Sequence, residues 1–206
     1  VNQKEEILYF NEDKMLEFAL DGTDGSAKTP ICEGVLSELT RKGIKSTSFA
    51  PFQEVRKLIP ESDIYPYWKD GRAETALHLI QQVVEQCRED SLRKGIDVLL
   101  YDRLWLTLFT EIDDTPLASQ WNHFVPTFIL TAPREIIVKR PGFSYGLPFS
   151  SSDQMLDDYH SKYLTLSKKY SSPIFGSYEI NALRVDLRPI IKDITTKIVS
   201  RIGTKR

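Results

Sequence analysis

The sequence predicts a three-layer α/β sandwich around a five-stranded parallel sheet, and three observations carry that expectation. Short apolar runs alternate with helical stretches along the chain. Those runs are almost continuously apolar instead of alternating, the pattern of strands covered on both faces. The first run breaks at a glycine-containing turn and passes directly into helical spacing.

Taken in order, Met15 to Leu20 is the first strand, ending at Asp21-Gly22. Ile31, Val35, Leu36 and Leu39 then recur at helical spacing, and the pattern stops at Gly43, a residue suited to the position just past a helix end. Ile44 to Phe49 is a second strand diluted by Lys45, Ser46 and Ser48. From Pro51 to Gly71 the chain reads as loop, with a short helix around Val55 to Ile59. A long amphipathic helix follows, marked by Leu77, Ile80, Val84, Cys87 and Leu92 and ended by Gly95. Ile96 to Leu100 is the third strand, stopping at Tyr101-Asp102-Arg103. Short helices are expected over Leu104 to Glu111 and Leu117 to Phe124, and Thr127 to Thr131 is the fourth strand. A helix from Pro133 should end before Pro141; after the loop Pro141 to Ser152, another should run from Asp153 to Tyr170. Leu183 to Leu187 reads as the fifth strand, and Ile190, Ile191, Ile194, Ile198 and Ile202 stripe the closing helix.

At 206 residues with 41% apolar composition, the chain is long enough for one buried core and short for two. The reading is an extension over 1–14 and one domain over 15–206, with a lid around 141–152. The net charge of −2 is spread over interleaved Lys, Arg, Asp and Glu, so no basic face for nucleic acid emerges. No apolar run approaches the roughly 18 residues that span a bilayer, and the acidic first residues do not suit a targeting peptide, so a cytoplasmic chain without membrane contact is expected. Cys32 and Cys87 lack a paired spacing and read as reduced, buried thiols. His78, His123 and His160 are dispersed, ordinary surface or helix residues and no metal set.

In parallel sheets, ligands collect where the strands end. That rule places Gly22 to Thr29, Asp102-Arg103 and the loop after Thr131 on one rim. Gly22-Thr23-Asp24-Gly25-Ser26-Ala27-Lys28-Thr29 joins the first strand to its helix, the context a phosphate-binding loop requires. Successive backbone N–H groups and the helix N-terminus make a concave donor array for phosphate oxygens. Lys28 then reaches the outer phosphates and the Thr29 hydroxyl serves Mg²⁺. Ala27 stands where the pattern G-x-x-x-x-G-K-(S/T) has its second glycine; its Cβ costs about 1–2 kcal/mol if the backbone there is left-handed.

The run Phe18 to Thr29 resembles the opening of thymidylate kinases, (F/I)-E-G-x-D-G-x-G-K-(S/T), with the Asp24-Gly25 pair narrowing the match within the wider class of phosphate-loop proteins. Three further stretches are similar to the family in the right order: Val98 to Arg103, with Leu104 in place of an aromatic or histidine; Pro126 to Glu135 with Lys139-Arg140; and Tyr159 to Tyr170. The resemblance implies strand order 2-3-1-4-5 and an ATP- and Mg²⁺-dependent transfer of phosphoryl to a nucleoside monophosphate (dTMP + ATP to dTDP + ADP). It implies that Gly22, Thr23, Gly25, Ser26, Ala27, Lys28 and Thr29 bind ATP, with Thr29 and Asp102 serving the metal. Asp24 would meet the acceptor's sugar or phosphate, Arg103 would hold the acceptor and steady the transferring charge, and Trp68 and Arg72 would stack and grip the acceptor. Related kinases form homodimers through helices, so a homodimer is compatible with it. Two departures stand out. The family's Arg-Glu-Pro after the second strand is Phe49-Ala50-Pro51 here, with no arginine until Arg56, and the lid carries no cation beyond Arg140. They leave open a nucleoside or other small metabolite as acceptor, or a non-catalytic nucleotide-binding homologue.

Overall fold

The computed structural model describes residues 15–58, 72–140, 143 and 152–203. Five parallel strands lie in the order β2-β3-β1-β4-β5: β1 Leu16–Gly22, β2 Ser46–Phe49, β3 Val98–Asp102, β4 Thr127–Thr131 and β5 Ile174–Glu179. The helices are α1 Lys28–Arg41, α2 Pro51–Leu58, α3 Ala73–Arg93, α4 Trp105–Ile112, the short α5 Arg134–Ile137, α6 Asp153–Lys169 and α7 Arg188–Gly203, with a 3₁₀ turn at Pro116–Gln120. No helix among the described residues is long and apolar enough to cross a membrane.

Strand pleating divides the core in two. Leu16, Phe18 and Leu20 of β1, with Val98, Leu100, Phe128 and Leu130, pack on α1 and α7. Ala19, Leu99, Tyr101 and Ile129 point the other way, onto α2, α3, α4 and α6. Helices on both faces are why the strands read as apolar runs and not as alternations. β1 has two polar exceptions on that second face. Glu17 lies 2.9 Å from the Arg88 guanidinium, accepts from the Tyr101 hydroxyl at 2.7 Å and sits 3.1 Å from His123 Nε2. A largely covered carboxylate is stabilised by such partners. Asp21 has a different set, described below. His123 is therefore a half-buried partner of Glu17, while Cys32 is buried, Cys87 half-buried, and both are free.

One strand lies elsewhere than the sequence suggests. Leu183 to Leu187 forms no strand, and β5 is Ile174–Glu179. The segment Ile-Phe-Gly-Ser-Tyr-Glu pairs with β4 alone and is only partly covered, so an edge strand needs no apolar run. Leu-Arg-Val-Asp-Leu alternates like a strand, but Val185 and Leu187 anchor an irregular approach to α7, and Leu183 is 47% exposed. Smaller differences have local causes. α2 begins at Pro51, not near Val55, because proline suits the first helical position and the Ala50 carbonyl accepts from Gln53 and Glu54 N–H at 3.0 and 3.2 Å. The helix expected after Pro133 closes within four residues, and the one expected over Leu117 to Phe124 is only the 3₁₀ turn.

Candidate functional site

The C-terminal ends of β1 and β3 and the starts of α1 and α2 enclose a cavity of about 400 Å³, lined by residues that include Asp24, Lys28, Thr29, Arg56, Asp102 and Arg103. Gly25, Ala27, Phe52, Gln53 and Arg140 complete much of its wall. Every loop position named from the sequence except the buried Gly22, Thr23 and Ser26 therefore faces one space. Those three build the loop from within. Thr23 donates its N–H to the Leu130 carbonyl at 3.2 Å and accepts at its hydroxyl from Ala132 N–H at 3.1 Å, tying the loop to β4. The Ser26 hydroxyl closes the turn on the Thr23 carbonyl at 2.8 Å. The backbone N–H groups of Gly25, Ala27, Lys28 and Thr29 donate to no acceptor among the described residues, which leaves them for an anion at the α1 N-terminus.

Ala27 settles its own question. Its φ of 62° and ψ of 28° put it in the left-handed region, as the missing glycine would be. The loop thus holds its shape with the Cβ in place, at the expense of backbone strain. Ala27→Gly should raise thermal stability by about 1 kcal/mol in a melt, because relief of a left-handed alanine exceeds the entropy that glycine adds to the unfolded chain. An unchanged or lower Tm would show that the strain is absent.

Lys28 is buried, with its ammonium 3.0 Å from the Gly22 carbonyl, 2.5 Å from that of Thr23 and 3.4 Å from Ser26 Oγ. Burial, with the Arg103 charge beside it, lowers its pKa to about 7, although Asp24, Asp102 and Asp21 pull the other way. Arg103 also has a left-handed backbone, φ 70°. That conformation follows the end of β3, and the side chain reaches back across β1: its guanidinium donates to the Gly22 carbonyl at 2.9 Å and pairs with the Asp24 carboxylate. Asp24 and Arg103, expected in separate roles, form one ion pair at the cavity edge.

Asp102 lines the same cavity, and one of its carboxylate oxygens is buried without a hydrogen-bond partner. Thr29, on the exposed first turn of α1, lines the cavity as well. A carboxylate oxygen without a hydrogen-bond partner and a hydroxyl lining one cavity fit a hydrated Mg²⁺, which takes few protein ligands and keeps its waters and phosphates. Among the described residues no three His, Cys, Asp or Glu side chains gather as a metal set.

Arg72 lies at the start of α3, exposed, and is not among the residues lining the cavity; Trp68 falls outside the described residues, as does most of the expected lid. Two arginines enter instead. Arg56, one turn beyond Phe52 on α2, and Arg140, after α5, both line the cavity. Sequence reading met Arg56 only as the first arginine after a missing one; helical periodicity was the available signal, since positions 52 and 56 share a face.

A solved thymidylate kinase from Candida albicans, whose structure is described as revealing the origin of broad substrate specificity, matches this chain with a TM-score of 0.57. The match covers 93% of this chain and 92% of that one at 17% identity, so the fold of the two is shared. No protein-family model and no curated protein matches the sequence.

Proposed function

We propose that this chain is an ATP- and Mg²⁺-dependent kinase that phosphorylates a nucleoside monophosphate, with dTMP as the first acceptor to test. The observation that carries the reading is the charge of the cavity. Among the described residues, Lys28, Arg56, Arg103 and Arg140 line it together with two carboxylates, Asp24 and Asp102, in a chain whose net charge is −2. A cavity with that surplus at a helix N-terminus suits two phosphorylated ligands better than one.

In this reading the loop amides and the Lys28 ammonium bind the outer phosphates of ATP. Mg²⁺, held by Thr29 and through water by Asp102, would neutralise phosphate charge. A phosphate oxygen of the acceptor attacks the γ-phosphorus, the bond from that phosphorus to the β–γ bridging oxygen breaks, and ADP departs with the electron pair. Such a transfer needs alignment and cationic stabilisation, not a covalent enzyme intermediate. Arg103, anchored on Gly22 and Asp24, lies beside the loop and can follow the charge that develops there.

Arg56 supplies the discriminating test. A guanidinium that grips an acceptor phosphate contributes about 1.5–3 kcal/mol. Arg56→Met should therefore raise KM for the monophosphate roughly 10- to 100-fold, while ATP affinity by calorimetry stays unchanged. Assayed over a panel of monophosphates and nucleosides, the wild-type protein should form ADP only with the former. Turnover with nucleosides alone would reassign the acceptor, and tight ATP binding with no transfer would make the chain a nucleotide-binding homologue.

A further inference from the structure

Asp21 is fully buried at the end of β1, and none of the chemistry above uses it. One of its carboxylate oxygens accepts three hydrogen bonds, all from the start of α4: Leu104 N–H at 3.0 Å, Thr107 N–H at 3.1 Å and the Thr107 hydroxyl. The Thr107 hydroxyl is in turn 2.8 Å from the Tyr163 hydroxyl on α6. The other oxygen has no partner. A buried carboxyl group is an expensive way to hold one helix end, which serine or asparagine could cap at the surface.

Its location explains what it adds. Arg103 adopts φ 70°, a conformation that persists only where neighbours over-determine it. The two amides that flank this residue's torsions are both held by β1: Arg103 N–H by the Leu20 carbonyl at 2.9 Å, and Leu104 N–H by the Asp21 carboxylate. Release of the second amide lets the turn relax toward ordinary backbone, and the guanidinium then swings off Gly22 and Asp24.

We infer that Asp21 is a positioning residue whose carboxylate oxygen locks the left-handed turn at Arg103 and so aims the guanidinium over the phosphate loop. The inference rests on the reading of Arg103 as a phosphate-facing cation, and it is tested by a double-mutant cycle on the full chain, with tripolyphosphate as the calorimetric ligand. Arg103→Ala should weaken binding about tenfold, and Asp21→Leu should weaken it by a similar factor in the parent but by less than about twofold in the Arg103→Ala background. Asp21→Asn keeps the accepting oxygen and should retain affinity within about threefold. If Asp21→Leu does not melt cooperatively, Asp21→Ala replaces it, since water can enter the vacated space and bond the freed amides. Equal losses in both backgrounds, or none in the parent, overturn the positioning role while leaving Arg103 in place. No effect of Arg103→Ala itself overturns the role and the reading of the site together.

Discussion

Replacing Lys28 by methionine will abolish phosphoryl transfer and weaken ATP binding, and will at the same time make the protein harder to unfold. The two effects have one cause. The ammonium is buried among backbone carbonyls, and its pKa falls from the ordinary lysine value of 10.5 to about 7. The sign follows from proton binding. Between about pH 7 and 10.5 the unfolded chain holds the lysine proton and the folded chain does not. Stability therefore rises with pH across that window, and the penalty is complete below it. Methionine fills the same space without the charge. Neither carbonyl is orphaned by the change, because Arg103 still donates to Gly22 and the Ser26 hydroxyl still donates to Thr23. The gain should be roughly 1–3 kcal/mol at pH 6, shrinking toward pH 10. Urea denaturation at the two pH values reads it directly, and a destabilised K28M at pH 6 would refute the account.

Under the proposed function, the same lysine makes nucleotide binding a proton-linked event. Phosphate oxygens favour the ammonium, so at pH 8 binding of ATP should take up most of one proton at this site, seen as a dependence of the calorimetric heat on buffer ionisation enthalpy. Above pH 7 affinity should fall nearly tenfold per pH unit until the bound-state pKa is reached. Lys28→Met removes both the uptake and the slope.

What the sequence made legible was whatever lay in contiguous chemistry. The loop Gly22 to Thr29, its helix and the Asp102-Arg103 strand end could be placed because a single stretch of chain contains each of them. The fully covered strands were readable for a related reason: burial on both faces imprints an apolar run. β5 was misplaced because an edge strand carries half the burial and so half the signal, while Leu183 to Leu187 imitates it. Arg56 needed knowledge of where α2 starts, and that depended on a proline at its first position. The Asp24–Arg103 pair and the Asp21 network join residues about 80 positions apart, separations of 79 and 83 to 86 along the chain. No local pattern announces such partners; they follow from strand order, which sets β1 beside β3.

Gly22→Ala should be the most destabilising single substitution in the loop, and for a reason distinct from phosphate contact. A Cβ at this position would stand 1.7 Å from the Leu130 carbonyl oxygen and 2.6 Å from its carbon, both backbone atoms of the adjacent strand. Backbone cannot step aside as a flexible side chain can, so β1 and β4 must separate just where Gly22 and Leu130 are in register. The φ of 142° adds strain for any residue with a Cβ. Together these should cost about 4 kcal/mol or more and lower Tm by roughly 10 °C or more, or leave the protein insoluble. Gly43→Ala is the control that separates the two contributions. Its φ is 75°, but nothing lies within 4 Å of the added carbon, so it should lose only about 1 kcal/mol. If the two variants melt together, the close approach of β4 is not what demands glycine at the mouth of the loop. If Gly22→Ala alone collapses, the residue that opens the loop is also the one that lets β1 and β4 close beneath it, a demand for glycine independent of any ligand.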